Sequence, residues 1–196
     1  MPPSNTPHPS RRQWLALAAA GATGLAVAQP PDPFWRLLRE GGCVVLMRHA
    51  QTEAGVGDPP GFMLGQCRTQ RNLSAAGREQ ARRVGERVRR EGVAIASVRS
   101  SAWCRCVDTA QLAFGTHAVW PALNSIFEGQ GDAEAQTREV LTTVAGLRAP
   151  ENWILVTHQV NISALTGAFT AMGELLATRP DPASPGRLKV LARLTV

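Results

Sequence analysis

Apolar positions in this chain fall either into short unbroken runs or into helical spacing. Cys43 to Met47 is an uninterrupted apolar run, too short for a helix, and predicts a buried strand. Trp153 to Val156 repeats that pattern. Val93 to Arg99 and His117 to Val119 predict two further strands. Leu188 to Thr195 alternates and predicts a last strand at a sheet edge.

Between these runs the spacing is helical. Asp32 and Pro33 open a short helix that runs to Glu40 and stops at Gly41-Gly42. Ser74 caps a helix from Ala75 to Arg90, with Ala81, Val84 and Val88 on its apolar face and Gly92 at its end. Ser101 is expected to cap a helix through Phe114, Asp132 to Leu147 reads as mostly helical, and another helix begins near Asn161. Gly55 to Gln66 is rich in Gly and Pro and predicts a loop. Strands alternating with helices imply an α/β fold, a three-layer αβα sandwich with a mainly parallel sheet. Residues 29–196 show no internal repeat and no long linker, so one domain is expected there.

Residues 1–28 follow another pattern. An arginine pair, Arg11-Arg12, precedes an uncharged Ala/Gly/Leu stretch that closes on Ala26-Val27-Ala28. This is the layout of an export signal, with cleavage expected after Ala28. The apolar run from Leu15 to Ala28 is shorter than the about 20 residues of a membrane span, so no stable span is expected after cleavage. Ser10-Arg11-Arg12-Gln13-Trp14-Leu15 also resembles a twin-arginine signal; an ordinary secretory signal is the alternative. Either predicts an exported, periplasmic protein.

Charge changes the picture only modestly. The formal net charge is +6, and losing Arg11 and Arg12 with the leader lowers it by two. Lys189 is the only lysine. A mild positive balance suits anionic substrates. No basic stripe interleaved with aromatics is present, so nucleic acid is not an expected partner.

Four cysteines, Cys43, Cys67, Cys104 and Cys106, can oxidise in an exported chain and allow three full pairings. Cys104 and Cys106 lie two apart on a predicted helix and point to different sides, which disfavours a bridge between them. Cys67 with one of those two is the favoured pair. A Cys-x-Cys metal site is the alternative, but no histidine stands at ligand spacing, and neither metal nor cofactor is expected.

The candidate chemistry lies where strands end. Arg48 and His49 follow the first strand. Ser101, Arg105 and Thr109, spaced by four after the second, share one helix face. Thr157 and His158 follow a later strand. In open α/β sheets, ligands bind outside the carboxyl ends of the strands. If these strands are neighbours, two arginines and two histidines meet. Arginine offers a planar fork matched to phosphate oxygens, and neutral histidine can attack phosphorus. A second histidine, protonated, can donate to the phosphoryl oxygens.

Four segments in order resemble the histidine phosphatase superfamily, which includes phosphoglycerate mutase-like and histidine acid phosphatase branches. They are LMRHAQTE, NLSAAGREQARRVGERV, SSAWCRCVDTAQLA and ILVTHQVNISALTG. The resemblance implies that His49 is the nucleophile and carries a phosphohistidine. It implies that Arg48, Arg105 and His158 hold the phosphoryl group, and that Thr52 contacts phosphate. Ala50 replaces the family's usual Gly, and Gly55 stands where mutase relatives often have Asn. The leaving-group acid departs further: Gln159 stands where one branch has Asp, and Ser125 falls where the other has Glu. Glu128, three residues on, is the remaining candidate acid.

The expected function is therefore an exported phosphomonoesterase acting on a phosphorylated small molecule or phosphoprotein. Lack of a strong acid would favour good leaving groups such as acyl phosphates, phosphohistidine or aryl phosphates. A non-catalytic phosphate- or phosphoprotein-binding module and a phosphoglycerate-type mutase are the alternatives. The short segment between Phe114 and Asp132 leaves little room for a cap, so an open, shallow pocket is expected.

Overall fold

The computed structural model describes residues 32–196, together with Met1. The export signal expected at residues 1–28 lies outside the described residues. A six-stranded sheet has the order β3-β2-β4-β1-β5-β6. Its strands are β1 (Val44–Arg48), β2 (Ser97–Ser100), β3 (Ala118–Val119), β4 (Trp153–Thr157), β5 (Leu175–Pro180) and β6 (Leu188–Leu194). β1, β4, β2 and β3 pair in parallel, while β5 and β6 join antiparallel. The helices are α1 (Pro33–Glu40), α2 (Ala75–Glu91), α3 (Cys104–Phe114), α4 (Ala133–Val144) and α5 (Gln159–Thr166).

β1 is apolar throughout because both of its faces are covered. Val45 and Met47 pack with Phe34, Trp35, Val84 and Ala110 from α1, α2 and α3. Val44 and Leu46 pack with Val140, Val144, Ile162 and Leu165 from α4 and α5. The three-layer arrangement follows directly. Asn152, fully buried, ties the layers at the start of β4. Its Oδ1 accepts from Cys43 N at 3.1 Å, and its Nδ2 donates to the carbonyls of Leu38 and Ala94 at 2.8 and 2.9 Å.

Three details differ from the sequence reading. α3 begins at Cys104 with Trp103 at its cap, so Ser101 is not the cap. Ser101 instead ends the crossing from β2, and its hydroxyl accepts from Trp103 N at 3.3 Å in a tight turn that precedes the helix. β2 is confined to Ser97–Ser100, because Val93 and Ile95 reach the core from the connection before it. β5 was not expected. It ends on Pro180, which cannot donate within a ladder.

Two glycines of α2 are required by close approach. A Cβ on Gly77 would sit 1.8 Å from Gln51 O, and one on Gly85 would sit 1.9 Å from Ala113 O. The first contact holds α2 against the segment that follows His49. The second holds it against the end of α3.

Candidate active site

β2, β4 and β1 are consecutive in the sheet, so their carboxyl ends lie side by side. Arg48 stands opposite Thr157 in the parallel register. His49 N donates to Thr157 O at 3.0 Å, and Ser101 N donates to Val156 O at 3.0 Å. The turn after α5 locks the same end, because Gly173 N donates to the carbonyls of both Arg48 and His49. This ladder places Arg48, His49, Arg105 and His158 around one pocket of about 290 Å³.

The two imidazoles are buried, with ring centroids 5.6 Å apart. His49 Nδ1 lies 2.9 Å from Ala50 O. A carbonyl only accepts, so Nδ1 carries the proton and Nε2 keeps its lone pair. Burial pushes the His49 pKa down to about 3, helped by the charges of Arg105, Arg48 and Arg71 and opposed by the Ala50 carbonyl. His158 is held well below its ordinary value by burial, then by His49 and the same arginines. Its Nε2 lies 2.8 Å from Ser101 Oγ. Both rings are neutral in the free site at neutral pH. The second histidine thus lacks the positive charge expected from sequence.

Arginines supply that charge. Arg48 Nη1 donates to Thr170 O at 2.8 Å, and Arg105 Nη1 donates to Asp58 Oδ1 at 2.7 Å. The Nε–H groups of both arginines are buried and have no partner among the described residues. An unpaired buried donor costs about 1–3 kcal/mol, and more on a charged group. The guanidiniums of both arginines line the pocket and give it a cationic wall suited to an oxyanion.

The sequence reading missed Arg71 and Asp58, both of which line the pocket. Arg71 Nε donates to Gly57 O at 2.8 Å, and its Nη1 donates to Thr52 Oγ1. Asp58 accepts from Arg105, from Trp103 Nε1 at 2.9 Å and from Arg71 N at 3.0 Å. Burial would raise the Asp58 carboxyl, but these donors and the Arg105 charge together hold it below its usual range. Three arginines against one carboxylate leave an excess of two positive charges. A phosphate monoester carries about −1.5 to −2 at neutral pH. Neither residue stands at a spacing that signals the site; a loop contact across 47 positions joins Asp58 to Arg105.

The remaining predicted residues take different places. Thr52 does not line the pocket; its hydroxyl supports Arg71. Thr109 Oγ1 accepts from Ala50 N at 3.0 Å and so holds the turn beside His49. Ser125 and Gln159 line the pocket. The Gln159 amide is committed to its own loop, donating to Ser163 Oγ and accepting from Thr170 N and Oγ1, each at 2.8 Å. Glu128 is exposed and is not among the lining residues. Gly55 does line the pocket.

Cys67 and Cys104 form a disulfide, one of the two pairings of Cys67 favoured from sequence. Cys104 is therefore not available for a Cys-x-Cys metal site. The bridge ties the loop carrying Asp58 and Arg71 to the first residue of α3, directly between Trp103 and Arg105. Cys104 N adds a bond to Gln70 Oε1 at 2.9 Å.

Comparison with known proteins gives a family match over part of the chain and a likeness of fold. The histidine phosphatase superfamily (branch 1) matches residues 44–130, a span holding Arg48, His49, Asp58, Arg71 and Arg105. No curated protein matches the chain in sequence. Among solved structures, the protein histidine phosphatase SixA complexed with tungstate superposes with a TM-score of 0.53 at 15% identity, covering 78% of this chain and 96% of that one. Bacillus stearothermophilus YhfR gives a TM-score of 0.56 at 16% identity, over 76% and 95% of the two chains. A putative alpha-ribazole-5'-P phosphatase from Escherichia coli gives 0.52 at 17% identity, over 76% and 95%. At these identities the likeness is one of fold.

Proposed function

We propose that this chain belongs to the histidine phosphatase superfamily, as its match over residues 44–130 and its fold support, and that it is an exported phosphomonoesterase. One observation carries the reading. Three arginines, against the single carboxylate of Asp58, line one pocket with a histidine whose Nε2 lone pair is free. In this reading Arg48, Arg105 and Arg71 seat the phosphoryl oxygens, and His158, held through Nε2 by Ser101, flanks them. His49 Nε2 attacks phosphorus, the bond to the leaving oxygen breaks, and a phosphohistidine forms. Water then attacks phosphorus and returns the electron pair to Nε2. Phosphoryl transfer needs chiefly positioning and charge stabilisation, which this pocket supplies.

The leaving oxygen departs without a strong acid. Glu128 is exposed, Gln159 is tied down, and Asp58 is held ionised. Phosphorylated small molecules or phosphoproteins with good leaving groups are the substrates in this reading. Export rests on the pattern of residues 1–28, through a twin-arginine or general secretory signal into the periplasm. The Cys67–Cys104 disulfide supports an oxidising compartment. Among the described residues no helix is long and apolar enough to cross a membrane.

The test uses wild type and His49→Ala with an aryl phosphate, quenched without acid. Turnover in wild type, label on His49 and loss of both in the variant are expected. The absence of a strong acid favours a second reading, a phosphate-binding module. Phosphate binding by wild type with neither turnover nor label would establish it in place of the phosphatase. Transfer of the phosphoryl group to a sugar hydroxyl would instead indicate a mutase.

A further inference from the structure

Resting on that phosphatase reading, we infer that the site takes phosphate monoesters of aromatic alcohols. The phosphoryl group lies on the arginine floor and the ring lies against an apolar rim.

The rim is the first observation. Val56 is 88% exposed and Phe169 is 73% exposed, and both line the pocket with Phe127 and Met172. A lone exposed apolar side chain is ordinary. Apolar groups gathered at the mouth of a cationic pocket form a ligand surface. Val56 stands on the loop before Asp58, and Phe169 on the turn after α5, so the two approach from different elements.

The second observation concerns protons. No lining carboxyl is held neutral: Asp58 is ionised, and both histidines are neutral rather than cationic in the free site. The leaving oxygen must therefore depart as an anion and collect its proton from water. A phenol, with a pKa of about 10, tolerates this far better than an alkyl hydroxyl, which is a far weaker acid, close to water itself.

The third observation is what the wall lacks. The Gln159 amide is engaged at both ends. Ser125 Oγ already accepts from Phe127 N at 3.2 Å. Apart from the charged groups, the Ser125 O–H and the unpartnered Gln130 Oε1 remain for a hydroxyl, whereas a ring needs neither. The rim alone would also fit an alkyl chain; the missing acid selects the aromatic ester.

In the step itself the N–P bond to His49 Nε2 forms as the P–O bond to the ring oxygen breaks. The electron pair leaves on the phenolate, which takes a proton from solvent. Water then cleaves the N–P bond and releases phosphate.

The experiment measures kcat/KM on phenyl phosphate, octyl phosphate and acetyl phosphate for wild type, Val56→Ser and Phe169→Ser. Both positions are exposed, where substitution changes stability little. Phenyl phosphate is expected to exceed octyl phosphate by at least about a hundredfold. Each variant is expected to lower the phenyl-to-acetyl ratio by about tenfold, mainly through KM. Octyl phosphate matching or exceeding phenyl phosphate would overturn the inference in favour of a lipid-like chain. Acetyl phosphate turned over with a ratio unmoved by either variant would overturn the rim while leaving the phosphatase reading intact. No turnover of any of the three would remove both.

Discussion

Asp58 Oδ1 lies 2.7 Å from Arg105 Nη1, and the two side chains are only 4% and 5% exposed. The pair joins the long loop after β1 to the first turn of α3. It occupies one terminal nitrogen of Arg105 and leaves Nε directed to no protein partner. Asp58 thus fixes the guanidinium at the pocket wall.

Asp58→Ala is expected to cost about 3–5 kcal/mol of stability, because it leaves the buried Arg105 charge without its partner. Denaturant unfolding would measure this. kcat/KM on an aryl phosphate is expected to fall at least tenfold as Arg105 loses its orientation. Unchanged stability with tighter phosphate binding would mean that the carboxylate competes with phosphate rather than positioning its ligand.

Reduction of Cys67–Cys104 opens a link spanning 37 positions. Chain entropy assigns such a link about 4 kcal/mol. Unfolding with and without a dithiol, and of the Cys67→Ser/Cys104→Ser variant, should show a loss of that order. The free thiols Cys43 and Cys106 are buried, and burial pushes Cys106 up to about 12, so thiol reactivity of the native protein should be low. Activity should fall with reduction, since the bridge holds the loop of Asp58 and Arg71 against α3.

The histidines set an acid dependence with a definite sign. His49 has its folded pKa lowered to about 3, and His158 is lowered well below 6.5. The unfolded chain therefore binds more protons than the native one below about pH 6.5. Stability from these groups is present above that pH and is lost as pH falls toward the folded values. Near pH 5 the loss for His49 is about 2 kcal/mol. Asp58, also lowered, adds a further loss as pH falls below about 4. Denaturation midpoints between pH 7 and pH 4 would show whether this decline occurs.

Catalysis should follow a different group. kcat/KM reports the free enzyme and free substrate, and His49 stays neutral through mild acid. The acid limb should therefore track the second phosphate ionisation, near 6. Substrates with a lower second pKa should move the limb to lower pH; a limb fixed across substrates would assign it to the protein instead.

Gly85→Ala should destabilise the fold by about 1–3 kcal/mol or more, because its Cβ would meet the backbone of Ala113. Thermal melting would detect it. An unchanged melting temperature would show that α2 and α3 can separate freely.

Local pattern determined much of this protein. Apolar runs marked β1 and β4, and caps with helical spacing marked α1, α2 and α4, because these features depend on residues a few positions apart. Arg48, His49 and His158 were legible because each stands at or just beyond the end of an apolar strand, and Arg105 because it is spaced by four from Ser101 and Thr109 after the next one. Their meeting in one pocket needed only that β2, β4 and β1 be neighbours.

Tertiary structure decided the rest. β5 exists because the exposed edge of β1 pairs with it. Thr52 supports Arg71 instead of lining the pocket, and Arg71 and Asp58 enter because a disulfide folds their loop onto α3. No short-range period encodes a carboxylate that meets an arginine 47 positions later. Such contacts are set by the path of a loop across the surface of the sheet, and that path is fixed by packing, charge pairing and the bridge together.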